Sequence, residues 1–350
     1  MFKLALSALL SMLFFFAPAP VEAKAGAGAS SASKKVQKAQ NQKRVTRKVL
    51  TKRKAARAQS ARRTVKYRGG RKQAMQRVVV SAPARSFMTM GDRAGLNLTR
   101  DPLDLKSSAA LVLDQASSEV LFEKNANIAL PIASITKLMT GLIVVQAKQD
   151  MNELLTVSED DIDHEKGTGS RLRIGTQLSR GTMLHLALMS SENRAASVLG
   201  RYFPGGRAAF VAAMNTKAQL LGMRDTRYVD TSGLSSRNVA SARDLARLVV
   251  TAHTEPLLRQ YSTDPKSFVD ASGRTLQYSN TNHLVANPEW DIGLQKTGFI
   301  NEAGRCLVMQ TMIQGRAVVM VFLDSKGKQS RTADAGRIRK WLEAISPPGM

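Results

Sequence analysis

The stretch Ser134-Ile135-Thr136-Lys137-Leu138-Met139-Thr140-Gly141-Leu142-Ile143-Val144-Val145-Gln146-Ala147 decides how the rest of the chain is read. Its apolar residues Ile135, Leu138, Met139, Leu142, Ile143 and Val145 fit helical periodicity better than the alternation of a strand. A helix from Ser134 to Ala147 puts Ser134 and Lys137 on one face of its first turn, within reach of each other. A serine nucleophile needs a nearby base, and a lysine drawn out of water can be neutral enough to serve. The positive end of the helix dipole also favours negative charge developing at Ser134. The chain holds two other Ser-x-x-Lys strings, Ser31 to Lys34 and Ser325 to Lys328, and neither opens an apolar-periodic helix.

Outward from this helix, strand signals lie at both ends and helical ones between. Ala109 to Leu113 and Val120 to Phe122 flank Asp114 to Glu119 as a hairpin with a turn of about six residues. Helices are expected at Thr182 to Met189, Arg194 to Tyr202, Ala208 to Leu221, Ala242 to Ala252 and Thr332 to Ile345. Strands return at Leu294 to Thr297, Leu307 to Ile313 and Val318 to Leu323. The expected fold is α/β in the α+β sense, a sheet whose terminal strands meet, with a helical insertion.

Two further polar triplets fall at informative places. Ser191-Glu192-Asn193 interrupts two helical patterns, where a polar hairpin can overhang a cleft; an N-cap is the plainer alternative. Lys296-Thr297-Gly298 is expected to end a short apolar strand, offering a cation and a hydroxyl to a carboxylate and a glycine for close backbone approach. A strand-end surface charge is the plainer reading of Lys296.

Composition separates two polymers. The 350 residues carry a net charge of +25, yet Lys24 to Arg85 holds 20 basic residues and no acid, while Phe87 onward holds 31 basic and 26 acidic ones. Met1 to Ala23 reads as a secretory signal: Lys3, an apolar run from Leu4 to Ala17, and Val21-Glu22-Ala23 before the cut. That run is shorter than the roughly 20 residues a spanning helix needs. Residues 24–90, with Tyr67 the only aromatic up to Arg85, lack the apolar surface to offset ordering entropy and are expected to be disordered. Such a block attracts polyanions without specifying one; after export these are anionic envelope surfaces rather than nucleic acid, and a plain linker is the alternative. Residues 91–350 are long enough to form the folded domain. One cysteine, Cys306, excludes an intramolecular disulfide, and four unpaired histidines give no ligand spacing, so no metal is expected; the chain also holds no G-x-x-x-x-G-K-[ST] or G-x-G-x-x-G string, and no cofactor is expected.

In the order Ser-x-x-Lys, Ser-x-Asn, Lys-Thr-Gly, these residues resemble the penicillin-recognising serine DD-peptidases and serine β-lactamases. The likeness extends through Pro131 to Thr140, Leu188 to Ala196, Asn280 to Val285 and Lys296 to Phe299, covers about Ser107 to Leu342, and is nearest the endopeptidase branch of the low-molecular-mass penicillin-binding proteins. It implies an antiparallel sheet flanked by helices with an all-helical insertion, in a periplasmic enzyme of Gram-negative bacteria. It also implies acyl transfer through a serine ester. Ser134 attacks a D-alanine carbonyl, Lys137 takes its proton under repulsion from Lys296, and Ser191 relays a proton to the leaving amine. Asn193 holds Lys137 and the substrate amide, Thr297 binds a carboxylate beside Gly298, and the N–H groups of Ser134 and Phe299 form an oxyanion hole. The implied partners are peptidoglycan peptides, with β-lactams as covalent inhibitors.

Tyr278-Ser279-Asn280 and Ser236-Arg237-Asn238 also match the middle motif, but neither lies between two helices. A β-lactamase needs a deacylating glutamate; no Glu-x-x-x-Asn lies between Asn193 and Lys296, and the loop Tyr228 to Leu234 offers only Asp230. DD-carboxypeptidases usually carry a further C-terminal domain and an Asp after the Ser-x-Asn; here 52 residues follow Gly298, filled by strands and a helix, and Arg194 stands at the Asp position. A catalytically weak wall-binding or polyanion-binding protein is the remaining alternative.

Overall fold

The computed structural model describes residues 87–345. The signal expected at 1–23 and nearly all of the basic segment expected at 24–90 lie outside the described residues. The hydroxyl of Thr89 donates to the Asp324 carboxylate at 2.9 Å, so the chain just ahead of residue 91 is part of the packed body.

Helix α1 (Met90–Arg93) leads into strands β1 (Ser107–Asp114), β2 (Val120–Lys124) and β3 (Leu130–Pro131), then α2 (Thr136–Gln146). β4 (Leu154–Thr156) and β5 (Gln177–Ser179) bracket a long loop, and α3 (Arg180–Met189), α4 (Asn193–Arg201) and α5 (Gly206–Leu220) follow. After β6 (Val239–Ala240) come α6 (Ala242–His253), α7 (Pro256–Thr263), β7 (Lys266–Ala271) and β8 (Arg274–Ser279). β9 (Asp291–Ile300), β10 (Gly304–Ile313), β11 (Arg316–Ser325) and α8 (Ser330–Ile345) complete the body.

The main sheet has the order β2-β1-β11-β10-β9. β1 pairs antiparallel with β11, Leu111 opposite Val321, so the expected meeting of the terminal strands is found. β11 reads as an unbroken apolar run because both its faces are covered. Val319, Val321 and Leu323 face the core shared with α2, α3 and α6. Val318, Met320 and Phe322 face the core that α8 closes with Ala335, Ile338 and Leu342. Alternation of side chains across a strand gives each set its own layer.

Two readings need correction. Lys296-Thr297-Gly298 does not end a strand: β9 continues to Ile300, with Gly298 opposite Cys306, because glycine keeps its place in the ladder while bringing the backbone close to a neighbour. Ser134 sits in a 3-10 turn, Ala133–Ile135, and the α-helix begins at Thr136. Helix α7 and the β7–β8 hairpin went unread. Ser272 (φ 52°) and Gly273 (φ 72°) form the hairpin's tight turn, where positive φ at both positions matches the right-handed twist of the strands.

Candidate active site

The 3-10 turn carrying Ser134 is fixed by two glycines from distant segments. Gly233, at φ 82°, approaches so closely that a Cβ there would lie 1.9 Å from the Ala133 carbonyl oxygen. A Cβ on Gly298 would lie 2.7 Å from the Ile132 carbonyl oxygen and 3.1 Å from the Ser134 nitrogen, so the Lys-Thr-Gly strand runs against the serine's own backbone. Ala133 (φ 48°) and Ser191 (φ 62°) adopt left-handed conformations, each costing about 1–2 kcal/mol for an L-residue with a side chain. Both flank the site, where surrounding structure commonly holds such strain.

Lys137 is fully buried, and its Nζ meets three oxygens: Ser134 Oγ at 2.8 Å, Asn193 Oδ1 at 2.7 Å and the Ser232 carbonyl at 2.6 Å. The last two can only accept. A neutral amine has two hydrogens, which go to Asn193 and Ser232, leaving its lone pair aimed at the Ser134 hydroxyl. A proton can then pass from serine to lysine along one hydrogen bond while the other two stay in place.

Burial brings Lys137 down to about 7, with the carboxylates of Asp230 and Glu192 pulling the other way. Lys296, also fully buried, lies well below its ordinary range, first through burial and then through repulsion from Lys137 and Arg331. The sequence leads one to expect a lysine drawn out of water, with the charge of Lys296 helping to keep it deprotonated. Loss of water is the leading cause at both lysines, and like-charge repulsion within the pair adds to it. Nor is Lys296 a surface charge: its Nζ donates to the Thr297 carbonyl at 2.9 Å inside the sheet edge.

The middle triplet occupies the turn between α3 and α4, as its place between two helical patterns suggested. Asn193 starts α4, and the side chain that caps this helix belongs to Glu192, accepting from the Arg194 nitrogen at 3.4 Å. Ser191 is not a partner of Lys137 Nζ. Thr297 Oγ1 lies 2.6 Å from Thr281 Oγ1, and Phe299 is half exposed beyond it.

The competing triplets hold structure instead. The Asn280 amide donates to the carbonyls of Ser262 and Asp264, and Tyr278 is buried under the Arg171 guanidinium. Asn238 Oδ1 accepts from the Val229 and Asp230 nitrogens. Ser325 lies buried at the end of β11, away from any helix start.

Several residues at the site take roles that the sequence did not assign them. Asp230 accepts from the nitrogens of Ser232, Gly233 and Ser235, and so shapes the loop that presents the Ser232 carbonyl to Lys137. The Asp-x-Ser-Gly string is a turn signal that could have shown this. Thr281 bonds through its nitrogen to the Met189 carbonyl at 3.1 Å and so ties the end of α3 to Thr297. Arg331, at the start of α8, donates to the Gly298 carbonyl at 2.9 Å, and nothing local to its sequence marks it. A cavity of about 280 Å³ beside Asn193 and Ser232 extends under the β4–β5 loop, past Thr168 and Asp163.

A serine whose basic neighbour is a water-shielded lysine, set against a Lys-Thr-Gly edge strand, is the working arrangement of the penicillin-recognising active-serine peptidases. The chain belongs to the D-alanyl-D-alanine carboxypeptidase family, whose model matches residues 97–327. It is 50% identical over 253 residues to the D-alanyl-D-alanine endopeptidase of Pseudomonas aeruginosa, covering 72% of this chain and 81% of that one. To the D-alanyl-D-alanine endopeptidase of Escherichia coli it is 44% identical over 242 residues, covering 69% and 78%. Among solved structures it is similar to penicillin-binding protein D2 of Listeria monocytogenes in its cefotaxime-bound form, with a TM-score of 0.62 and 28% identity, over 69% of this chain and 98% of that one.

Proposed function

We propose that the chain is a serine DD-peptidase of peptidoglycan acting as an endopeptidase on D-alanyl cross-links. The observation that carries this reading is the 2.8 Å hydrogen bond between Ser134 Oγ and the Nζ of a fully buried Lys137. Ser134 attacks the carbonyl of a D-alanyl peptide bond and Lys137 takes the proton. The N–H groups of Ser134 and Phe299 receive the oxyanion, whose charge such donors stabilise most in a site shielded from water. Ser191 passes a proton to the departing amine, Asn193 keeps Lys137 in register, and Lys296 and Thr297 receive a carboxylate. That carboxylate supplies a counter-charge to Lys296, whose Nζ donates to the Thr297 carbonyl. Water then hydrolyses the acyl-serine, and a β-lactam enters the same route as a covalent inhibitor.

Endopeptidase is favoured over carboxypeptidase by the two close relatives named for that activity and by Arg194 after the Ser-x-Asn. Digestion of defined muropeptides, monomeric and cross-linked, with product masses read out, tests it: cleaved cross-links support the reading. Loss of only the terminal D-alanine from monomers would replace it with the carboxypeptidase.

The proposal extends to place. Met1 to Ala23 directs export to the periplasm, and residues 91–350 make up the catalytic domain. The 20 basic residues of Lys24 to Arg85 hold the enzyme at anionic envelope surfaces, each worth at most roughly 1 kcal/mol there. Removing that segment should abolish salt-sensitive co-sedimentation with anionic vesicles or cell wall. Equal retention with and without it would reduce the segment to a linker.

A further inference from the structure

Beyond the three motifs, one hydroxyl from the β4–β5 loop reaches the site. Asn193 donates from Nδ2 to Thr168 Oγ1 at 3.0 Å, while its Oδ1 accepts from Lys137. Thr168 donates in turn to Asp163 Oδ2 at 2.7 Å. A threonine hydroxyl has one hydrogen, and a carboxylate can only accept. The hydrogen is therefore committed to Asp163, and Thr168 meets Asn193 as an acceptor. This fixes which way the Asn193 amide points, because its oxygen and nitrogen have nearly the same shape and only their neighbours distinguish them.

We propose that Thr168 is a positioning residue for Lys137, acting through Asn193: it locks the amide oxygen toward the lysine and so keeps the amine lone pair free for the Ser134 hydrogen. This rests on the assignment of Ser134 as nucleophile and Lys137 as base. A reversed amide would present an N–H to Lys137. The neutral amine would accept it with its single lone pair, in competition with Ser134, and the ammonium would lose one of its three acceptors.

The loop is built to hold this hydroxyl still. Asp163 also accepts from the nitrogens of Glu165 and Lys166, each at 2.9 Å, and of Thr168 at 2.8 Å. Partial burial works against its charge, but these hydrogen bonds hold it below the ordinary carboxylate range, so it remains an acceptor at neutral pH. Lys166 pairs with Glu302, in the β9–β10 turn, at 2.6 Å. Arg194 donates to the Leu172 carbonyl at 2.5 Å, which gives a structural task to the residue that departs from the carboxypeptidase pattern.

Thr168→Val keeps the shape and removes the acceptor, and Thr168→Ser restores it. The readout is the rate of covalent labelling by a fluorescent penicillin on the full chain, from about pH 5 to 9, with melting temperature measured alongside. The other charged groups facing Lys137 (Asp230, Glu192 and Lys296) are unchanged in both variants. T168V should label about tenfold more slowly at the plateau, as for one hydrogen bond lost at the transition state. Its acid limb should move to lower pH at an unchanged melting temperature. T168S should recover the rate and the limb, and in an Asn193→Ala background T168V should have no further effect. A T168V enzyme with the parent rate and limb overturns the proposal. So does one whose rate falls with its melting temperature while the limb stays, or a T168S that remains slow. A Ser134→Ala enzyme that still forms the adduct would instead show that the underlying assignment has failed.

Discussion

Acidification should switch off acylation by placing a proton on Lys137. Burial sets this group at about 7 against the pull of Asp230 and Glu192. For a base titrating there, the reactive fraction is about one half at pH 7, one tenth at pH 6 and one hundredth at pH 5. The labelling rate with a fluorescent penicillin, taken at concentrations well below saturation, should thus fall nearly tenfold per pH unit on the acid side. A rate flat from about pH 5 to 9, or one still rising toward the ordinary lysine range near 10.5, would refute the assignment of Lys137 as the base. Stability carries the same signature. Between about 7 and 10.5 the folded Lys137 binds fewer protons than the unfolded chain, so it makes stability rise with pH across that window. Below about pH 7 the cost of burying the group is fully present, on the order of 5 kcal/mol. Urea unfolding across that window should show a shallower slope with pH for Lys137→Met, which has nothing to titrate.

Three substitutions probe the rest of the site. Ser134→Ala should abolish penicillin labelling and muropeptide hydrolysis at an unchanged melting temperature, since it removes one hydroxyl; residual adduct by mass spectrometry would contradict it. Lys296→Ala should lower kcat/KM by about ten- to a hundredfold, the size of a charge-assisted contact to a carboxylate. It should not lower the melting temperature, because a buried, poorly partnered amine is being removed; equal losses of activity and stability would make Lys296 structural. Gly298→Ala should impair acylation strongly by pushing its new methyl group against the Ile132 carbonyl and the Ser134 nitrogen, 2.7 and 3.1 Å away, and parent-level labelling would show that the turn can yield.

How much was legible in the sequence follows from the range of each interaction. Periodicity placed α2, the terminal strands and the breaks between helices, because alternation and helical repeats are set by neighbours a few residues apart. The polar chemistry of Ser134, Lys137, Asn193 and Lys296 stood out for the same reason, as did the order of their motifs. The β7–β8 hairpin escaped because Lys266 to Ala271 carries few of the β-branched and aromatic residues that mark strands, and its Ser-Gly turn was the one local sign. Gly233, Thr281, Thr168 and Arg331 join the site only through the folded chain: the Ser232 carbonyl reaches Lys137 across 95 residues of sequence, and Arg331 reaches Gly298 across 33. The lysine's proton affinity is likewise a property of packing. The sequence by itself supplied a hydroxyl and an amine three residues apart on a helix; the tertiary structure decided which oxygens surround that amine and removed the water that would otherwise keep it charged.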